Sequence, residues 1–143
     1  MTLHTYDPAQ VTVAIGGAIM SGFTDGTFVE ISRNEPSWNT VVGADGIVTR
    51  GKTNNRSGTL TLTLKQSSPS NDVLSALLIA DELTNGSVFP VLIKDLSGTS
   101  LYFSAQAFLT SFPTSTFSKD IGDRSWVITL ADCDMLVGSN ATT

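Results

Sequence analysis

Gly58-Thr-Leu-Thr-Leu-Thr-Leu-Lys-Gln66 alternates apolar and polar residues without a break. Leu60, Leu62 and Leu64 fall on one side of an extended chain, and Thr59, Thr61, Thr63 and Lys65 on the other. That two-residue period belongs to a strand with one dry and one wet face. The period recurs upstream in Gln10-Val-Thr-Val-Ala-Ile15, where Val11, Val13 and Ile15 share a face, and downstream in Ser125–Asp132, which contains Trp126. Gly16-Gly17 marks a bulge or bend. Asp25-Gly26 predicts a hairpin turn, with Phe28–Arg33 as the returning strand. Val88–Lys94 reads as a strand that Pro90 demotes toward an edge or strand start. Asp95–Gly98 turns into a further strand over Ser100–Leu109.

One stretch has helical spacing instead. Ser70 is its expected N-cap, with Asn71 and Asp72 in the first turn. Val73, Leu74, Leu77 and Leu78 repeat at helical intervals, and Ile79 and Leu83 widen the stripe. Asn85-Gly86 stops it. About six or seven strands and one helix predict a mainly β fold: a barrel or sandwich of antiparallel strands with one flanking α-helix. At 143 residues the chain is one domain, residues 1–143, ending in a short polar tail from about 138 to 143.

Residues 34–57 follow another rule. They hold Pro36, Gly43, Asp45-Gly46, Gly51 and Asn54-Asn55, with short β-like pieces at Thr40–Val42 and Ile47–Thr49. The reading is a long hairpin-like arm over about 38–57, tipped at Asp45-Gly46, with few apolar residues to hold it to the body. Segments of this length in small domains are usually functional or mobile. Arg50, Lys52 and Arg56 make it locally basic, and Trp38 after Pro36 is either folded back or an anchor at a partner surface.

Composition narrows the function. Apolar residues are 41% of the chain and charged residues only 15%, while Ser and Thr make up about a quarter, so hydroxyls carry most of the polarity. A net charge of −5 argues against a nucleic-acid binder and against docking on anionic lipid. No apolar run reaches transmembrane length. The N-terminal residues lack a basic start and an apolar core, so no cleaved leader is expected and the reading is of an intracellular chain.

Catalytic chemistry finds no footing. Cys133 and His4 lie at opposite ends of the sequence with no orienting third group. One Cys and one His exclude a disulfide within the chain and a Cys- or His-based metal site. Asp132 and Asp134 share one side of a strand, yet no EF-hand pattern surrounds them. Gly17–Gly22 lacks the Lys of a phosphate loop. The sequons at Asn55, Asn85 and Asn140 are chance in a chain this rich in Ser and Thr. No enzyme, metal or cofactor is expected.

The order of these elements resembles the tail tube proteins of contractile-tailed bacteriophages, within the small structural proteins of myophages. The likeness rests on Val11–Ile15, Phe28–Asn34, the excursion Trp38–Asn55 with Val42-Gly-Ala-Asp-Gly46, the direct entry into Ser57–Leu64, one helix, a closing hairpin and the Trp126 strand. It covers residues 8–138. The resemblance implies a fold similar to type VI secretion tubes and hexameric rings stacked into a hollow tube. Strands from six subunits would join into one barrel around the lumen, and the arm would reach a neighbouring subunit or the next ring. The implied partners are other copies of the chain, a tail sheath protein, a tape measure protein, the baseplate hub and a tail terminator, with double-stranded DNA passing through unbound and no membrane. The implied location is the virion tail, after assembly in the host cytoplasm.

Four strands from each of six subunits make about 24, and at about 4.8 Å spacing and about 40° tilt they close at a diameter of roughly 45–50 Å. Short hydroxyls suit such a bore, and acidic groups would keep DNA sliding. The expected lumen-facing residues are Glu30, Thr59, Thr61, Thr63, Ser104, Gln106 and Thr129, with Lys65 as a departure. The expected arm contacts are Trp38, Val42, Asp45, Gly46, Arg50, Lys52, Asn54 and Arg56. The expected acidic receiving patch is Asp120, Asp123, Asp132 and Asp134, which would make the assembly head to tail. The alternative is a monomeric or dimeric β-sandwich module binding a ligand in a cleft lined by Trp38 and Tyr102.

Overall fold

The computed structural model describes residues 2–140. A single 3-10 turn, Pro8–Gln10, leads into β1 (Val11–Ile15) and β2 (Ala18–Ile19). There follow β3 (Val29–Arg33), β4 (Trp38–Val42), β5 (Val48–Lys52), β6 (Gly58–Lys65), α1 (Ser70–Thr84), β7 (Phe89–Asp95), β8 (Leu101–Ser111), β9 (Asp123–Leu130) and β10 (Asp134–Leu136). Eight strands form one antiparallel sheet in the order β2-β1-β7-β8-β9-β6-β3, with β10 added on β8, while β4 and β5 form a sheet of their own. The expected mainly β fold with one helix is the fold observed.

The dry face of the sheet holds the core. Leu60, Leu62 and Leu64 of β6, Val13 and Ile15 of β1, Val91 and Ile93 of β7, and Trp126, Ile128 and Leu130 of β9 form one core with Leu74 and Leu78 of α1. Burying each such side chain stabilises the fold by about 1.5–3 kcal/mol. Trp126 also ties sheet to helix, its indole N–H donating to Asn71 Oδ1 at 2.9 Å.

Several local readings change. Phe28–Arg33 does not return on β1. Gly16 and Gly17, at φ 60° and 84°, form the tight turn that a two-residue hairpin needs, and β1 is met by β2 on that side and by β7 on the other. With both edges of β1 engaged, β3 pairs with β6 instead, Glu30 opposite Thr61. Asp25-Gly26 bends the chain beside the end of β6, between Thr24, whose N–H donates to Thr63, and Phe28, whose carbonyl accepts from Thr63. β7 is interior to the sheet, so of the two readings of Pro90 the edge does not hold and the strand start does, Pro90 being the second residue of β7. Pro90 is tolerated there because the register against β8 shifts between Phe89 and Val91, so no ladder bond is demanded of it.

Ser70 is the first helical residue, not the cap; its Oγ accepts from the Ser21 N–H, and Ser68 Oγ accepts from the Ser70 N–H. Asn85 closes the helix in the left-handed region, as a C-terminal stop requires. The buried stripe is narrower than the sequence pattern suggests, since Val73, Ile79 and Leu83 are exposed. Residues 138–140 do not trail free. Thr99 N–H donates to the Ser139 carbonyl, and Gly98 bridges Asn140. The rest of the expected tail, residues 141–143, and part of the sequon at Asn140 lie outside the described residues.

Candidate functional site

The arm is a free-standing hairpin. Its tip is set by Asp45, whose carboxylate accepts from the Ile47 N–H, and by Gly46 at φ 82°, a conformation that favours glycine. Residues directly opposite in an antiparallel pair share a face. The register therefore puts Trp38, Thr40 and Val42 with Val48, Arg50 and Lys52 on one face. Arg50 lies 4.0 Å over the Trp38 ring, which holds the cation against the indole while Trp38 stays 45% exposed. Every residue of both strands is exposed, including Val41, Val42 and Val48, and so is Ile47 in the turn. Trp38, Val42, Arg50 and Lys52, four of the residues read from sequence, thus stand side by side.

Asn54 and Arg56 belong to the arm's root. With Arg33, Ser37, Trp38, Lys52 and Thr53 they line a cleft of about 450 Å³. Arg56 forms ion pairs with Asp132, at 3.3 Å, and with Asp134. Both are exposed pairs, worth about 0.2–1 kcal/mol each. Arg33 donates from Nε and Nη2 to the Cys133 carbonyl at 3.0 and 2.8 Å, and the Cys133 N–H donates to the Arg56 carbonyl. The turn after β9 thus buckles both feet of the arm to the body. The Asp132→Asn, Asp134→Asn double variant is expected to lose less than about 2 kcal/mol of stability. Hydrogen exchange at the Cys133 amide should nonetheless quicken, and unchanged exchange would mean the ion pairs do not hold the root.

The acidic residues do not form one receiving patch. β6 pairs with β9 from Gly58 opposite Leu130 to Lys65 opposite Asp123, a span of about 24 Å at 3.4 Å per residue. Asp132 and Asp134 sit at the arm's end of this pair and are engaged by Arg56 of the same chain. Asp123, which accepts from Thr24 Oγ1, lies at the far end with Asp120 in the loop before it. Sequence spacing grouped residues that an eight-residue strand separates.

The wet face is continuous across four strands. Glu30 and Ser32 of β3, Thr59, Thr61 and Thr63 of β6, Ser125, Val127 and Thr129 of β9, and Phe108 and Thr110 of β8 point away from the core. Thr63 and Ser125 hydroxyls meet at 3.3 Å, and Thr110 and Thr129 also pair. Lys65 is at the margin, opposite Asp123. Ser104 is not on this face. Between the pairs Val91–Ser104 and Phe89–Ala107, β8 carries one extra residue, so Ser104 and Ala107 both turn inward, and Ser104 is buried with its hydroxyl donating to the Gln106 carbonyl. Gln106 is exposed at that bulge. Beyond it the outward surface turns apolar, with Ile19, Leu92 and Phe103 exposed.

The residues read as catalytic or ligand-binding alternatives are not brought together. Trp38 and Tyr102 do not share a cleft: Tyr102 lines an open trough of about 650 Å³ between β3 and the strands β1, β7 and β8. His4 meets the Asn140 carbonyl through its Nδ1, and no contact joins it to Cys133 among the described residues. Among the described residues no group of His, Cys, Asp and Glu could hold a metal ion, and no helix is long and apolar enough to cross a membrane. Burial pushes the Cys133 thiol pKa up, with Arg33 pulling it down and Asp134 and Asp132 pushing it further up. A raised folded-state pKa gives a contribution to stability that is full below the ordinary thiol value and is lost as pH rises from there through the raised folded value. Because the side chain is fully buried, the thiol should react with a disulfide reagent on the order of a hundredfold slower in the native chain than in urea. Equal rates would show that the Cys133 site opens freely.

Residues 4–138 match the family model described as bacteriophage PhiTE tail tube protein. The chain belongs to that family. As a tail tube protein it is a structural component of the phage virion and not an enzyme. A relative, structural protein ORF10 of Pseudomonas phage KPP10, is 36% identical over 144 residues, covering 95% of this chain and 83% of the relative. The fold is also that of proteins from contractile injection systems. The tube-terminating cap of the anti-feeding prophage superposes with a TM-score of 0.65 over 99% of this chain and 95% of its own, at 13% identity. A chain of the extended sheath–tube complex of the PVC extracellular contractile injection system gives 0.61 over 92% and 91%, at 15% identity.

What the sequence did not single out is the root. Arg33 and Cys133 are 100 positions apart, and nothing local to either marks the contact. Asn34, which donates to Ser57 Oγ and accepts from Thr59 Oγ1, closes the root from the other side.

Proposed function

We propose that this tail tube protein assembles as hexameric rings stacked head to tail into a hollow tube, with the outward face of β8, β9, β6 and β3 as the wall of the bore. The observation that carries this reading is the hydroxyl face itself. Four contiguous strands expose mainly Thr and Ser, with Val127 and Phe108 as apolar exceptions and Glu30 as the carboxylate within the face, while Lys65 stands at the margin opposite Asp123. Such a wall neither grips phosphate nor narrows the passage. β3 ends the sheet with an unpaired edge, which closure into a ring of about 24 strands would remove. The exposed Ile19, Leu92 and Phe103 would be covered by the neighbour in the ring.

The bore would hold a tape measure protein during assembly in the host cytoplasm and conduct double-stranded DNA at ejection. A tail sheath protein, a baseplate hub and a tail terminator are the further partners. The arm, with Trp38, Val42, Asp45, Gly46, Arg50 and Lys52 on or at its tip and Asn54 and Arg56 at its root, would join successive rings. Negative-stain electron microscopy of the concentrated protein tests the reading. Rings or tubes with sixfold end views are expected. Uniform particles of single-chain size at every concentration, with or without a baseplate to initiate assembly, would overturn it.

A further inference from the structure

We infer that the 112–122 loop, at the end of the barrel opposite the arm, is the seat for the arm tip of a second copy of this chain; this rests on the stacked-tube reading. The ladder between β6 and β9 fixes the polarity: the arm leaves beside Gly58, whereas the loop joins β8 to β9 beside Lys65 and Asp123. One chain thus carries the two surfaces at opposite ends, the arrangement that a heterologous, repeating contact requires.

The loop presents apolar side chains with no cover. Phe117 is 80% exposed and Ile121 72% exposed, and Phe112 flanks a notch of about 210 Å³ floored by Trp126. The loop is nonetheless held in shape. Arg124, buried beneath it, donates to the Thr116 carbonyl at 2.9 Å and lies under the Phe117 ring. A braced loop with an apolar crest is a preorganised surface, so docking on it costs less ordering. The arm tip offers the matching chemistry, with Val42, Ile47 and Val48 exposed around the turn. Charges agree as well. Arg50 and Lys52 of the arm oppose in sign Asp120 of the loop and Asp123 just after it, and Asp45 at the tip opposes in sign Lys119 of the loop.

Engineered cysteines test the contact in the full chain. Ile47→Cys and Phe117→Cys replace exposed side chains outside the core, and the native Cys133 is buried and serves as the background control. Under mild oxidation in assembling conditions, the double variant should give a non-reducing ladder of dimers, trimers and higher species, at least tenfold above either single variant. Because the contact is heterologous, the ladder should not stop at the dimer. Phe117→Asp, with its subunit still folded by circular dichroism, should lower tube yield at least tenfold. Tubes that form without cross-linking above the single variants would overturn the seat alone. Chains that never polymerise would overturn the tube reading and the seat with it.

Discussion

Subunits whose arm is cut back to its root should fold normally and fail to stack. Trp38 and Lys52 are cross-strand partners, so residues 39–51 can be replaced by the two-residue turn Asn-Gly without moving either strand end. Nothing from this segment enters the core, and the buckle of Arg33, Arg56 and Cys133 stays intact. The thermal midpoint should move by no more than a few degrees, as expected for the removal of exposed residues. Tube length in micrographs should fall to single rings or to none. Long tubes from the shortened chain would show that stacking does not use the arm.

The largest loss of stability is expected at Trp126. Its ring fills the space between β9 and α1, it is 2% exposed, and its N–H is spent on Asn71. Trp126→Ala should cost about 3–5 kcal/mol through lost burial and an unfilled cavity. For a chain of this size that lowers the melting midpoint by roughly 10–15 °C. Asn71→Ala leaves the indole N–H without its acceptor and should cost about 1–3 kcal/mol. Thermal denaturation of both variants checks the order. An Asn71→Ala loss equal to that of Trp126→Ala would place the weight in the hydrogen bond and not in packing.

The strands were legible where one face is buried and the other wet. β6 shows this most clearly, because each Leu in it is core and each Thr is surface. The helix and the arm were legible for the same kind of reason, one from its 3.6-residue period and the other from turn residues around two short β pieces. Pairing was not legible. Asp25-Gly26 has hairpin chemistry, yet competition for the edges of β1 decided which strand β3 joined. Ser104 failed because a bulge shifts the alternation by one residue, which no composition signals. The acidic patch failed because Asp123 and Asp132 are close in sequence only by way of a strand that spans the barrel. Of the arm residues, Trp38, Val42, Arg50 and Lys52 fall on one face because cross-strand register follows directly from the position of the turn, while Asn54 and Arg56 fall at the root.

The tube reading requires the hydroxyl face to turn toward the bore. A helical reconstruction of the assembled tube by electron cryomicroscopy measures that orientation directly. The expected result is a sixfold tube with Thr59, Thr61, Thr63 and Thr129 lining the bore and Glu30 beside them. A tube that turns these residues outward, with another face on the bore, would contradict it.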